Sequence, residues 1–159
     1  MLKLYIIYGR NLNKERMHRL CQTANPIAVA TLKDHQLVFQ AREYGAGAIA
    51  NVLPAKGQEV PVVIWELSEE DEIRMDVDQG IGYGRCKKER VDIEVNGETL
   101  QALIYVTDPG PYGVPTDMYL RHMAEGYRDF GLPVKPLNDA LSQAYENTVT
   151  NGESLRPAQ

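Results

Sequence analysis

The stretch LYIIYGRNLNKERM, residues 4–17, holds a strand, a join and a helix in fourteen positions. LYIIY is β-branched and aromatic, with no charge to expose, so it reads as a buried strand. Gly9 ends it, because a residue without Cβ lets the backbone turn sharply. Asn13 is placed to cap the helix that follows, with Met17, Leu20 and Cys21 on one face. The join YGRN, residues 8–11, therefore lies between two rigid elements. Such loops aim backbone N–H groups at one spot and suit anions or carbonyl oxygens, although a plain tight turn has the same sequence.

Reading outward, IAVATL (27–32), HQLVFQA (35–41) and GAIANVLPA (47–55) are three strand candidates. EVPVVIWEL (59–67) is apolar at nearly every position, the pattern of a strand covered on both faces. SEEDEIRMDVDQG (68–80) opens a helix with Ser68 as cap and Asp71 three residues on. It ends in MDVDQGIGYG, where three glycines permit close approach of a ligand or simply form a loop. ERVDIEV and ETLQALIYV flank Asn96-Gly97, a hairpin signal. After the Pro- and Gly-rich TDPGPYGVPT, a helix capped by Thr116 carries Tyr119, Leu120, Met123, Tyr127 and Phe130 and stops at Gly131 and Pro133. A last helix spans roughly 136–147. The expected fold is α+β: one domain over 1–147 with a small curled or closed sheet, then a flexible C-terminal tail, 148–159.

The bulk numbers narrow the function. With 159 residues, 43% apolar and 25% charged, the chain can build a proper core. Its net charge of −5 argues against a nucleic-acid polymer or a membrane as partner. Cys21 and Cys86 have no metal-ligand spacing, and His18, His35 and His122 form no metal or triad pattern, so no metal site is expected. With neither a signal peptide nor a disulfide framework, a cytoplasmic location is the default. Whether the chain forms a homo-oligomer stays open.

Taken in order, these segments resemble the gamma-glutamylcyclotransferase-like (AIG2-like) family. LYIIYGRNLNKERM is similar to the family's YFAYGSNL opening, MDVDQG to its LD-xx-EG turn, and YLRHMAEGYRDFGLP to its tyrosine-led closing helix; the likeness covers about residues 3–145. It implies a small mixed β-barrel with flanking helices and one pocket where the first turn meets the LD-xx-EG turn. Family enzymes turn a γ-glutamyl amine compound into 5-oxoproline and a free amine, with no cofactor or metal. The substrate's own α-amine attacks its γ-carbonyl, and the EG-motif glutamate moves the proton.

Carried over residue by residue, the resemblance assigns the site to Tyr8, Gly9, Arg10, Asn11, Leu12, Gln79, Tyr83, Arg85, Tyr105 and Tyr119. Gln79 falls at the glutamate position. An amide hydrogen-bonds like a carboxylate of the same shape but is no general base. Arg10 replaces the serine of YGSN, and Cys86 aligns with a family tyrosine for which Tyr83 is a near substitute. A glutamate exchanged for glutamine to trap substrate accounts for Gln79, but not for Arg10 or Cys86. A working γ-glutamylcyclotransferase using another acid would need Asp76 or Asp78. Asp76 matches the family's LD aspartate and reads as structural, and Asp78, adjacent to Gln79, is expected to face elsewhere. The favoured expectation is a non-catalytic protein that binds or sequesters an anionic small molecule, even a nucleotide-like signal, through Arg10. The alternative for Arg10 is an outward-pointing side chain paired with Glu15.

Overall fold

The computed structural model describes residues 1–42 and 47–151, with side chains as far as 148. Five strands form one mixed sheet: β1 (Lys3–Ile7), β2 (Asn25–Ala41), β3 (Ala48–Leu67), β4 (Lys87–Val95) and β5 (Glu98–Val106). Four helices accompany them: α1 (Lys14–Leu20), α2 (Glu69–Gln79), α3 (Asp117–Phe130) and α4 (Lys135–Asn151). Single 3-10 turns occupy Arg10–Leu12 and Ile81–Tyr83. The sheet order is β2-β3-β1-β5-β4. The first strand is thus central, antiparallel to β3 with Tyr5 opposite Trp65, and parallel to β5 with Ile6 opposite Ile104. The uncharged run Tyr5, Ile6 and Ile7 follows from that place, since all three are buried.

Two expectations need correction. The sheet is mixed and flanked by helices, but it is not a closed barrel: β2 and β4 are its two edges and do not pair with each other. The β2 ladder shifts register between Pro26 and Ala28 and again between Lys33 and His35, so the edge bends instead of presenting a continuous row of bonds. IAVATL and HQLVFQA are also one strand, and so are GAIANVLPA and EVPVVIWEL. The polar residues between them looked like loops. They form a solvated stretch of two-stranded ribbon, where Asp34 adopts φ 58° and its carboxylate accepts the Gly57 N–H at 3.0 Å.

Helix starts follow the sequence. The Arg16 N–H donates to the Asn13 side chain at 2.9 Å, the Asp71 N–H to Ser68 at 3.2 Å, and the Tyr119 N–H to Thr116 at 3.1 Å. Asn96 and Gly97 both have positive φ, as a two-residue hairpin requires. The last helix runs to Asn151 instead of ending near 147, since after Pro136 in its first turn neither glycine nor proline occurs from Leu137 to Asn151. The rest of the expected tail lies outside the described residues. The core joins Trp65, Tyr5, Phe39, Ile64 and Leu67 to Leu12, Met17, Met75, Met123 and Tyr127. Among the described residues no helix is long and apolar enough to cross a membrane, and no three His, Cys, Asp or Glu side chains are grouped to hold a metal ion.

Candidate functional site

A cleft of about 770 Å³ opens where the turn after β1 meets the end of α2. Its walls include Tyr8, Gly9, Arg10 and Asn11 from the first turn, Asp78 and Gln79 from the helix end, and Tyr83, Arg85, Cys86 and Lys87 beyond it. Tyr105 and Thr107 come from β5 and its exit, Gln40 and Ala50 from β2 and β3, and Tyr119 from α3. The two turns expected to be neighbours are neighbours. Asn11 joins them, its Nδ2 donating to Asp78 Oδ2 at 3.3 Å while its Oδ1 accepts from Arg16 Nε at 2.9 Å.

Asp78 does not face elsewhere. It lines the cleft beside Gln79, because on a helix positions 75, 78 and 79 share one face and Met75 anchors that face in the core. Its Oδ1 lies 3.3 Å from Arg16 Nη2 and 4.0 Å from Arg10 Nη2, and its Oδ2 accepts from Gln79 Nε2 at 3.1 Å. The alternative placement of Arg10 is therefore not observed. Glu15 pairs with Arg19 instead, while Arg10 turns inward, with its guanidinium 5.6 Å from the Tyr119 ring centre. Burial and the neighbouring Arg10 draw the Arg16 pKa down from its ordinary value.

The glycines of MDVDQGIGYG provide the turn anticipated for them. Gly80, φ 75°, ends α2 directly after Gln79, and a Cβ there would lie 2.8 Å from Arg85 Cδ. The Arg85 stem thus folds onto the turn, and its guanidinium lies 5.2 Å from the ring centre of the 81% exposed Tyr83 at the mouth.

Three tyrosines line the cleft with hydroxyls already engaged. Tyr8 donates to the Tyr105 carbonyl at 2.6 Å, Tyr105 donates to Asp76, and Tyr119 accepts the Ala50 N–H at 2.9 Å. Burial raises the pKa of all three, so they stay neutral phenols. They present walls and fix strands; none is poised as an acid or base. Cys86 is half-buried, its thiol pushed up to about 11 by burial and then by Asp76.

Leu12 is the one assigned site residue that the structure removes. It is fully buried and packs on Gly126 of α3, where a Cβ would sit 2.4 Å from Leu12 Cβ and 2.6 Å from its carbonyl carbon. The turn points Asn11 one way and Leu12 into the core. Tyr112, in the Pro- and Gly-rich segment before α3, pairs with Gln40 through its backbone and is not among the lining residues. Missed altogether was the amide floor: Asn51 Nδ2 donates to Gln40 Oε1 at 2.8 Å and to the Thr107 carbonyl at 2.9 Å, and Gln40 Nε2 donates to the Gly110 carbonyl at 3.2 Å. The signal for it was present, since both amides interrupt otherwise apolar strand runs.

A model of one family matches residues 5–127: gamma-glutamyl cyclotransferase, AIG2-like. The chain belongs to this family. The chain is 27% identical to the gamma-glutamylcyclotransferase of Bos taurus over 161 aligned residues, covering 92% of this chain and 83% of that one. Against the Homo sapiens protein of the same name identity is 26%, covering 83% and 73%. A solved structure titled gamma-glutamyl cyclotransferase superposes with a TM-score of 0.79 at 25% identity, covering 88% of this chain and 86% of that one. The cleft of this cyclotransferase-family chain thus holds Gln79 and Asp78 side by side, with two arginines against the carboxylate.

Proposed function

We propose that the chain is a gamma-glutamylcyclotransferase in which Asp78 carries the proton. The observation that carries this reading is the Asp78 carboxylate in the cleft wall, 3.1 Å from the Gln79 amide. Among the described residues the one other carboxylate in that wall, Asp108, is almost fully exposed and lies 3.5 Å from Lys87. Relatives named gamma-glutamylcyclotransferase support the reaction class.

In the proposed step, the α-amine nitrogen of a γ-glutamyl amine attacks the γ-carbonyl carbon. The bond from that carbon to the leaving nitrogen breaks, and the five-membered 5-oxoproline ring closes. Asp78 accepts the proton shed by the attacking nitrogen and returns it to the leaving one, so no water is consumed and no charge accumulates. Because nucleophile and electrophile belong to one molecule, holding it folded supplies much of the rate. Gln79 donates to Asp78 and keeps its carboxylate turned into the cleft.

A second reading, an anion-binding protein without turnover, draws on Arg10 and on Gln79 as a group without a transferable proton. The two part in one assay. Release of 5-oxoproline from γ-glutamyl-alanine by the unaltered protein, abolished in Asp78→Asn, supports the cyclotransferase. No release by the unaltered protein, but release by Gln79→Glu, overturns it in favour of binding.

A further inference from the structure

The Asp78 carboxylate offers four acceptor positions and meets three hydrogen-bond donors among the described residues. Its Oδ2 accepts from Asn11 Nδ2 at 3.3 Å and from Gln79 Nε2 at 3.1 Å, which occupies both lone pairs of that oxygen. Its Oδ1 accepts from Arg16 Nη2 at 3.3 Å and keeps one lone pair without a donor. Arg10 Nη2 stands 4.0 Å from Oδ1, too far for a hydrogen bond. Arg16 is not among the cleft-lining residues, and its Nε is fixed on Asn11 Oδ1 at 2.9 Å, so it holds the carboxylate from behind. Arg10 does line the cleft, with its guanidinium kept there by the Tyr119 ring, whose centre is 5.6 Å away. One open carboxylate oxygen and one guanidinium thus border the same gap.

A group with an amine and a carboxylate on one carbon matches such a pair, because it bonds to both sides without pulling them apart. Resting on the cyclotransferase reading, we propose that Arg10 binds the α-carboxylate of the γ-glutamyl group while Asp78 Oδ1 accepts from the α-amine on the same carbon. Arg10 is then the residue that selects a γ-glutamyl group over an ω-amino acyl group of equal length, and Oδ1 is the oxygen that takes the proton. The proton passes from the attacking nitrogen to Oδ1 as the ring C–N bond forms. It moves on to the leaving nitrogen as that atom's bond to the carbonyl carbon breaks. A guanidinium grips a carboxylate through two parallel N–H bonds. With the Arg10 side chain 34% exposed, the grip is worth about 5- to 50-fold in kcat/KM.

The test sets γ-glutamyl-alanine against 4-aminobutanoyl-alanine, which keeps the amine and the carbonyl but lacks the α-carboxylate, and which cyclises to 2-pyrrolidinone instead of 5-oxoproline. Expected of the unaltered protein is a preference for γ-glutamyl-alanine of about 5- to 50-fold in kcat/KM. Arg10→Gln should erase the preference and Arg10→Lys should restore part of it. Because both compounds meet the same Asp78, their ratio cancels any effect of the substitution on folding or on the carboxylate. No preference in the unaltered protein, or one that survives Arg10→Gln, overturns the proposal, while 5-oxoproline release leaves the cyclotransferase reading standing. If neither compound is cyclised, the cyclotransferase reading fails and calorimetry with the same pair judges the Arg10 contact alone. An Arg10-dependent preference in binding keeps that contact, and equal or absent binding ends it. The amine half is read with glutaryl-alanine, which lacks the amine instead. In calorimetry Asp78→Asn should weaken γ-glutamyl-alanine relative to glutaryl-alanine; an unchanged ratio overturns the contact at Oδ1.

Discussion

One helix, α2, carries two sets of carboxylates that end in opposite situations. Glu72 and Asp76, one turn apart, face Lys88, whose ammonium lies 3.3 Å and 3.1 Å from them. The Tyr5 hydroxyl donates to Glu72 and that of Tyr105 to Asp76, and the two rings stack with centres 5.4 Å apart. Those partners sit on β1, β4 and β5, so this side of the helix is bolted to the sheet. Asp78, two residues after Asp76, is met instead by Asn11, Arg10 and Arg16, from a 3-10 turn and a short helix, around a space that a ligand can fill. A carboxylate bound to strand-borne phenols and an ammonium serves the fold, whereas one met by guanidinium groups of a turn and a short helix beside a cleft suits the proposed proton transfer.

The largest effect that could break this contrast is on turnover. Asp78→Asn should lower 5-oxoproline release by about 10²–10⁴-fold with little change in the urea midpoint. Asp76→Asn should do the reverse, costing about 1–2 kcal/mol of stability and leaving the rate within a few-fold. Equal losses of rate in both variants would erase the division of labour.

Gly126→Ala attacks the cleft side alone. The added Cβ meets the Leu12 backbone, so the turn bearing Arg10 and Asn11 must shift off α3. A cost of about 2–3 kcal/mol is expected in denaturant unfolding, with weaker binding of γ-glutamyl dipeptides and an intact Lys88 network. Next is Lys88→Met, which leaves Glu72 and Asp76 without their shared cation. These groups are all less than a third exposed, so about 2 kcal/mol is expected, measured by urea unfolding, with turnover changed less than by Asp78→Asn.

The smallest effect is the pH dependence of that network. Burial pushes Glu72 up, but the bonds from Tyr5, Lys3 and Lys88 outweigh it and leave its pKa below the ordinary value. Its stabilisation is therefore present above about pH 4.5 and lost as pH falls through the depressed pKa. Burial pulls Lys88 down, but bonds to Asp76, Tyr5 and Glu72 hold it above its ordinary value. Burial and the bond to Glu72 push Tyr5 up to about 12. These two contributions are present below pH of about 10 and lost as pH rises through the raised values. Urea midpoints across pH should show both declines, and Lys88→Met should flatten the alkaline one; an unchanged profile would place the network's strength elsewhere.

By itself the sequence determined the local structure. Asn13, Ser68 and Thr116 start helices, Gly80 and Gly131 end them, and Asn96-Gly97 makes the hairpin, because caps and positive φ depend on a few adjacent atoms. It also marked the cleft through YGRN and the glycines after Gln79, since a glycine turn beside an apolar strand is legible wherever it packs. The pairing of Glu72 with Asp76, and of Asp78 with Gln79, was implicit in helical spacing, yet neighbours in sequence were read as facing apart. Tertiary structure decided the rest. The amides of Gln40 and Asn51 become a floor only when β2, β3 and the exit of β5 meet, and Leu12 becomes core only because Gly126 leaves room for it. Arg10 points inward because Asp78 and Tyr119, far off in the chain, are there to receive it. These outcomes depend on contacts between residues tens of positions apart, and no local pattern encodes a partner's distance or direction.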